Sequence, residues 1–316
     1  MVTGAAGFIG SHLVYALLQD GVDVRGVDAF TDYYAHSSKL KNLELSGLAA
    51  DRFRRSLVSE LTASDLEGVD VVFHLAAQPG VRDSWGHFGT YLRHNLEETN
   101  ALAIAARAAG VKRIVFASSS SVYGDAASYP TSEASQTMPR SPYGVTKLAA
   151  ESLLRAHANI SDYELILMRF FTVYGPGQRP DMAIQRLIEC ALDTSDREFH
   201  LFGDGHQRRD FTYVGDLVRA LRASAVVPMP ERISTVNVGG AGDISMLELI
   251  DMVEVATQSK IRLVHEPVQV GDVVRTGADP ARARDLLGWS TAVQATEGVQ
   301  RQVDYVRRGG MAEWSG

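Results

Sequence analysis

The chain has 316 residues, 45% hydrophobic and 22% charged, with a net charge of −7 and one cysteine, Cys190. That length suits two lobes better than one core, and the composition is that of a globular α/β protein. The charge argues against a dedicated nucleic-acid binder, the lone cysteine against an internal disulfide framework, and the lack of any apolar run near ~20 residues against a membrane span.

The opening "MVTGAAGFIGSHLV" spaces Gly4, Gly7 and Gly10 as G-x-x-G-x-x-G ahead of a helical pattern, "SHLVYALLQD" (11–20). Only Met1–Thr3 precede the first glycine. The first strand is therefore expected to be real but clipped, with the native start upstream or a few residues omitted. The start has no signal-peptide layout, and the expected location is cytoplasmic. "GVDVRGVD" (21–28), "VDVVFHLAA" (69–77), "VKRIVFASSSS" (111–121) and "YELILMRFF" (163–171) read as strands. "LEETNALAIAARAAG" (96–110), ending on a C-cap glycine, and "SPYGVTKLAAESLLRAHA" (141–158) read as helices. Strand–helix alternation at this spacing predicts a parallel sheet covered on both faces. Beyond about residue 175 the pattern loosens into Gly-, Pro- and charge-rich loops at 175–182, 203–210 and 269–277, a smaller lobe lending loops to a cleft.

A glycine triplet is weak evidence by itself. Here a helix follows it, and the next strand ends in an acid, Asp28, eighteen residues beyond Gly10. Glycines permit a tight turn and close approach of a pyrophosphate to the helix N-terminus, while the acid grips a ribose 2′-hydroxyl and repels a 2′-phosphate. NAD is therefore expected rather than NADP. The expected fold is a Rossmann-type doubly wound parallel sheet with a smaller C-terminal substrate-binding lobe. The NAD-binding domain is placed at 1–168, with a returning segment near 211–240, and the substrate lobe mainly at 169–316.

In "SPYGVTKLAAE", Tyr143 and Lys147 fall on one helix face. A phenol with an ordinary pKa near ~10 is too weak a base at neutral pH. A neighbouring ammonium and the positive nicotinamide ring are expected to favour its phenolate. A hydroxyl should complete the set, and "ASSSSVYG" offers Ser118, Ser119, Ser120 and Ser121 at the C-terminal end of a predicted strand, where such sheets place their ligands. The histidines show no metal-ligand spacing, so no metal site is expected.

With these pieces the chain resembles the extended short-chain dehydrogenase/reductase family, in particular its NAD-dependent nucleotide-sugar epimerases and dehydratases. The likeness runs through "GAAGFIG", "HLAAQPGVR", "SSSSVYG", "YGVTK", "RFFTVYGPGQRPDM", "GDGHQRRDFTYVGDL" and "ADPARARDLLGW". It implies that Ser119 is the catalytic hydroxyl beside Tyr143 and Lys147. It implies further that Phe8, Ile9, Leu75, Ala76, Ala77, Gln78 and Phe170 contact the cofactor, with Asn95 near the nicotinamide. Ser120 and Ser121 would face the sugar with Ser119 and Tyr143. A homodimer through the 96–110 and 141–158 helices is implied as well. An Asp-Ile/Val pair usually reads the adenine after the strand near 53–58, and here Ser56 and Leu57 are expected in those places. Pro79 stands where galactose epimerases keep a lysine. "DRFRR" (51–55) and "RQVDYVRR" (301–308) are expected to be solvated helix or loop faces.

The resemblance also sorts the chemistry. Dehydratases of this kind carry Thr-Asp-Glu at the strand end, and decarboxylases carry Thr-Ser-Glu. Ser120 and Ser121 cannot serve as general acid and base near neutral pH, so return of hydride to C4 is the expected outcome. The loop "GPGQRPDMA" resembles that of UDP-glucuronate 4-epimerases, and Arg179 in it suits a carboxylate. The implied substrate is UDP-glucuronate; UDP-glucose, UDP-N-acetylglucosamine and decarboxylation of UDP-glucuronate remain alternatives. A non-enzymatic NAD-binding sensor or scaffold is the alternative from another class, and the presence of both Tyr143 and Lys147 argues against it. Thr172 is implied to touch the substrate, and Arg82 to reach its diphosphate. So is Arg209, with Arg208 as the alternative. Asp272 and Arg275 are implied in a loop over the nucleotide.

Overall fold

The computed structural model describes residues 1–193, 197–240, 242–268 and 271–310; positions 269 and 270 of the loop at 269–277 lie outside them. The chain starts with β1 (Val2–Thr3), turns into α1 (Phe8–Gln19) and returns as β2 (Gly26–Asp28). The strand expected over 21–28 is this short because Gly21 and Val22 still close the end of α1, their N–H groups bonding Leu18 O and Leu17 O. There follow α2 (His36–Ser46), β3 (Phe53–Arg55), β4 (Val71–His74) and α3 (Phe88–Leu92). A π-helical turn, Arg93–Glu97, then leads into α4 (Glu98–Ala109). Next come β5 (Arg113–Ser119), α5 (Pro142–Asn159) and β6 (Glu164–Phe170). The "DRFRR" stretch therefore includes a strand, and its arginines stay exposed because β3 lies at the sheet edge.

The second half runs through β7 (Thr172–Tyr174), α6 (Ala183–Leu192), β8 (Phe199–Phe202), β9 (Arg208–Tyr213), α7 (Val214–Val226) and β10 (Ile233–Val238). It closes with β11 (Asp243–Ser245), α8 (Met246–Thr257), β12 (Leu263–Glu266), α9 (Ala281–Leu287) and α10 (Ala295–Arg307). The main sheet is seven-stranded and parallel, in the order β10-β6-β5-β4-β1-β2-β3. β10 brings the later chain back to the first sheet, pairing Ile233 with Leu165 through Val238 with Phe170. β7, β9 and β11 make a separate small sheet, and β8 pairs β12.

Alternate residues of a strand point to opposite faces, so a parallel strand covered on both sides reads as continuously apolar. β6 does this: Leu165 and Leu167 pack with Leu102 and Leu154 on one face, Ile166 and Met168 with Leu13 and Leu217 on the other. α5 starts at a Ser141 cap, whose hydroxyl accepts the Gly144 N–H at 3.1 Å, with Pro142 at the first position.

A polar network lies inside this apolar frame. Glu151 of α5 and Arg169 of β6, 2% and 5% exposed, pair at 2.7 Å. The Ser118 hydroxyl donates to the same carboxylate. Arg169 also donates to the Tyr123 hydroxyl at 2.8 Å, which in turn donates to Asn237 of β10 at 2.7 Å. Breaking such a pair leaves a buried charge uncompensated. Arg169→Met is expected to lower unfolding free energy by about 3–5 kcal/mol in urea titrations. A loss under about 1 kcal/mol would mean that the pair behaves like an exposed one.

Candidate active site

The sheet order reverses between β1 and β4, and a cleft opens there above the carboxyl ends of the strands. The turn from β1 to α1 forms its floor. Gly4 has φ +70°, and a Cβ on Gly10 would stand 2.0 Å from the Gly4 carbonyl oxygen. No side chain fits there, so the backbone and the start of α1 are left open to a pyrophosphate. Asp28, at the end of β2, accepts the Phe30 N–H at 2.8 Å and the Ala6 N–H at 3.2 Å. These bonds fix a nearly buried carboxylate in the cleft beside the glycine turn, a pairing whose chemistry fits a dinucleotide. Lys39 of α2 lies 3.4 Å from Asp28 and over the Tyr34 ring. It was not legible in advance, because nothing in the polar sequence of α2 marks one lysine as buried.

Every expected cofactor residue except Asn95 lines this cleft. Asn95 is buried behind it. Its side chain accepts the Gln78 N–H at 2.7 Å and donates to Gln78 O and the Thr146 hydroxyl. It holds the segment leaving β4, whose Gln78 lines the cleft. Ser56 lines the far end of the cleft as expected, but Leu57 does not; Val58 takes the place beside it.

Tyr143 and Lys147 stand on the cleft side of α5. Burial lowers the Lys147 pKa to about 7, opposed by the negative charge of Glu151, and its ammonium lies 4.4 Å from the centre of the Phe116 ring. Burial raises the Tyr143 phenol, while a hydrogen bond with Ser119 and the charge of Arg179 pull it down. The downward pull on the phenol comes from Ser119 and Arg179, while burial of Lys147 acts on the lysine's own charge. The four serines are sorted by their bonds: Ser118 is committed to Glu151, while Ser119 accepts the Ser121 N–H at 3.1 Å.

A second chamber continues past Tyr143 and is lined by Arg82, Ser119, Ser120, Ser121, Thr172, Arg179 and Asp272. Arg179 gives two parallel bonds of 2.9 Å to Asp181. Its loop is anchored from α10, where buried Gln302 accepts the Gly175 N–H and donates to Gln178, each at 3.0 Å. Arg82 pairs with Asp272 at 3.2 Å. Arg209 and Arg275 are not among the residues that line this chamber, although Arg209 lies near its Arg82 and Asp272. Arg209 bonds the Arg208 carbonyl at 2.9 Å, Arg275 pairs with Asp243, and Arg208 is taken by Asp243 and Glu248. A neighbouring backbone carbonyl and the carboxylates of β11 and α8 thus engage these cations. Arg186 and Phe202 also line the chamber with no motif to announce them, as does Gln207, which stands in "GDGHQRRDFTYVGDL" beside the arginines. Among the described residues no His/Cys/Asp/Glu group could hold a metal, and no helix is long and apolar enough to cross a membrane.

The NAD dependent epimerase/dehydratase family matches residues 1–239. A Bacillus subtilis protein described as an uncharacterized UDP-glucose epimerase, YtcB, is 43% identical over 97% of both chains. MoeE5, solved with NAD and either UDP-glucuronic acid or UDP-glucose, is 41% identical and covers 98% of each chain, with TM-scores of 0.88 and 0.87. The Bacillus cereus UDP-glucuronic acid 4-epimerase, solved with UDP-glucuronic acid and NAD, is 38% identical, covers 97% of this chain and 98% of its own, and has a TM-score of 0.91.

The Lys147 shift has a sign that can be measured. Between about pH 7 and 10.5 the unfolded chain holds a proton on this lysine that the folded chain has released. The cost of burying the charge is complete below that window, so the residue's effect on stability becomes more favourable as pH rises through it. Urea titrations at pH 7 and pH 9 are expected to show a smaller rise in stability for Lys147→Met than for the unaltered protein. Equal rises would place the ammonium in water.

Proposed function

The chain belongs to the NAD-dependent epimerase/dehydratase family and is an NAD-dependent nucleotide-sugar epimerase, and from that premise we propose that it interconverts UDP-glucuronate and UDP-galacturonate. The observation that carries the sugar assignment is Arg179, whose planar fork enters the second chamber together with Ser119, Ser120 and Ser121. Arginine matches a carboxylate with two parallel bonds, and the serines offer hydroxyls to the same group. NAD supplies a reversible hydride acceptor at C4. Tyr143 receives the proton of the sugar 4-hydroxyl and returns it, with Ser119 bonded to the same oxygen. Lys147, titrating near neutrality on the same helix face, orients the ribose and takes part in the proton balance. Arg82 and Thr172 hold the diphosphate and sugar.

A carbonyl at C4 beside a carboxylate at C5 is a β-keto acid, which loses CO₂ when the C–CO₂ bond aligns with the carbonyl π system. Arg179 opposes this by keeping that bond near the ring plane. The exposed Ile104 of α4 and Val145 of α5 are the proposed centre of a homodimer contact. UDP-glucose is the second reading. It is favoured by Asp181, which already fills the Arg179 fork and leaves no demand for a substrate carboxylate.

The test is incubation of the purified protein with UDP-glucuronate, UDP-glucose and UDP-N-acetylglucosamine separately, with products followed by chromatography and mass. An isomer of unchanged mass is expected from UDP-glucuronate. Arg179→Ala should raise KM for that substrate by about 10–100-fold and release a product lighter by CO₂. Clean epimerisation by the variant at unchanged KM, or an isomer from a neutral sugar alone, would overturn the assignment.

A further inference from the structure

The far end of the cofactor cleft holds polar groups that the proposed reaction does not use. Ser56 and Val58 form one wall after β3, and Glu98 in the first turn of α4 and His94 of the preceding turn form the other. Leu57, between the first two, offers no polar atom to the cleft. Glu98 is 4% exposed, and one carboxylate oxygen accepts the Val58 N–H at 2.9 Å. The other lies 2.6 Å from His94 Nδ1, which donates to it. Ser56 Oγ, in a residue 8% exposed, has no hydrogen-bond partner.

A carboxylate accepts at about four lone-pair sites, so two remain on Glu98. A buried carboxylate and an unsatisfied buried hydroxyl are costly unless a ligand completes them. The position sets which part of the ligand that is. The glycine turn takes the pyrophosphate, Asp28 the adjoining ribose, and the pocket beyond β2 lies one strand further on, at β3. A purine base falls there. The adenine edge presents a 6-amino group with two N–H donors beside ring-nitrogen acceptors, which answers a carboxylate acceptor and a hydroxyl that both donates and accepts.

We propose that Glu98 reads the adenine 6-amino group of the bound dinucleotide, with Ser56 completing the edge and His94 as the positioning residue that holds the carboxylate. A buried site built to bond an amino group rejects the analogue lacking it, because the carboxylate then meets a carbonyl oxygen instead of a donor.

The measurement is cofactor exchange. The holoenzyme is equilibrated with an equimolar excess of NAD⁺ and its 6-oxo analogue, nicotinamide hypoxanthine dinucleotide, then desalted, and the bound dinucleotides are separated by chromatography. No sugar is present, so the outcome is independent of the substrate assignment. The unaltered protein is expected to retain NAD⁺ over the analogue by about tenfold or more. Glu98→Gln, whose amide can donate to the 6-oxo group, should bring the ratio near one. Glu98→Asp, which keeps the charge but withdraws it by one methylene, should lower the ratio and serves if the amide variant does not fold. A ratio near one in the unaltered protein overturns the proposal. So does a ratio unchanged in the variants even if both dinucleotides bind more weakly, since that is what a purely structural Glu98–Val58 contact would give.

Discussion

A charge pair sealed beneath the active-site helix sets the position of everything above it. Glu151 and Arg169 sit where α5 crosses β5 and β6, and the Ser118 hydroxyl and Tyr123 draw the strand end and the following turn into the same network. A buried ion pair tolerates little displacement, because each oxygen and N–H lost from it is left without water. Lys147 and Tyr143, one and two turns earlier on that helix, therefore meet the end of β5 at a fixed height. All four serines of the strand end line the second chamber, but the Ser118 hydroxyl is bonded into the network.

Two chambers meet at Tyr143 and Arg179, which line both. The cofactor side is built largely around the sheet's own strand ends. The other side consists of loops, each anchored from a distance. Gln302 of α10 grips the Arg179 loop, and Asp210 of β9 accepts the N–H groups of Gly240 and Ala278. Asp181 in the fork of Arg179 shows the restraint on this side. Both bonds of that fork are made within its own loop.

Much of the site follows directly from order along the chain. The glycine turn, the acid ending β2 and the Tyr–Lys pair are local: each depends on residues within one turn or one strand, whose backbone geometry is a property of the residues themselves. Strand lengths were less legible. The apolar stretch at 21–28 serves as a helix end before it becomes a strand, and periodicity alone does not mark where one role gives way to the other.

The sequence by itself determined the alternating sheet, the cofactor turn and the identity of the Tyr–Lys helix, because short-range sterics and periodic burial settle these. Only the tertiary structure decided how charged groups divide between site and scaffold. It buried Lys39 beside Asp28 and brought Glu98 to Val58 across 40 positions of chain. It bonded Asn95 to Gln78 and Thr146, Arg209 to the carbonyl of Arg208 and Arg275 to Asp243, and it buried Lys147. The reason is physical: a side chain's charge state and partner depend on the dielectric and the donors around it in space, and those come from segments far apart in sequence.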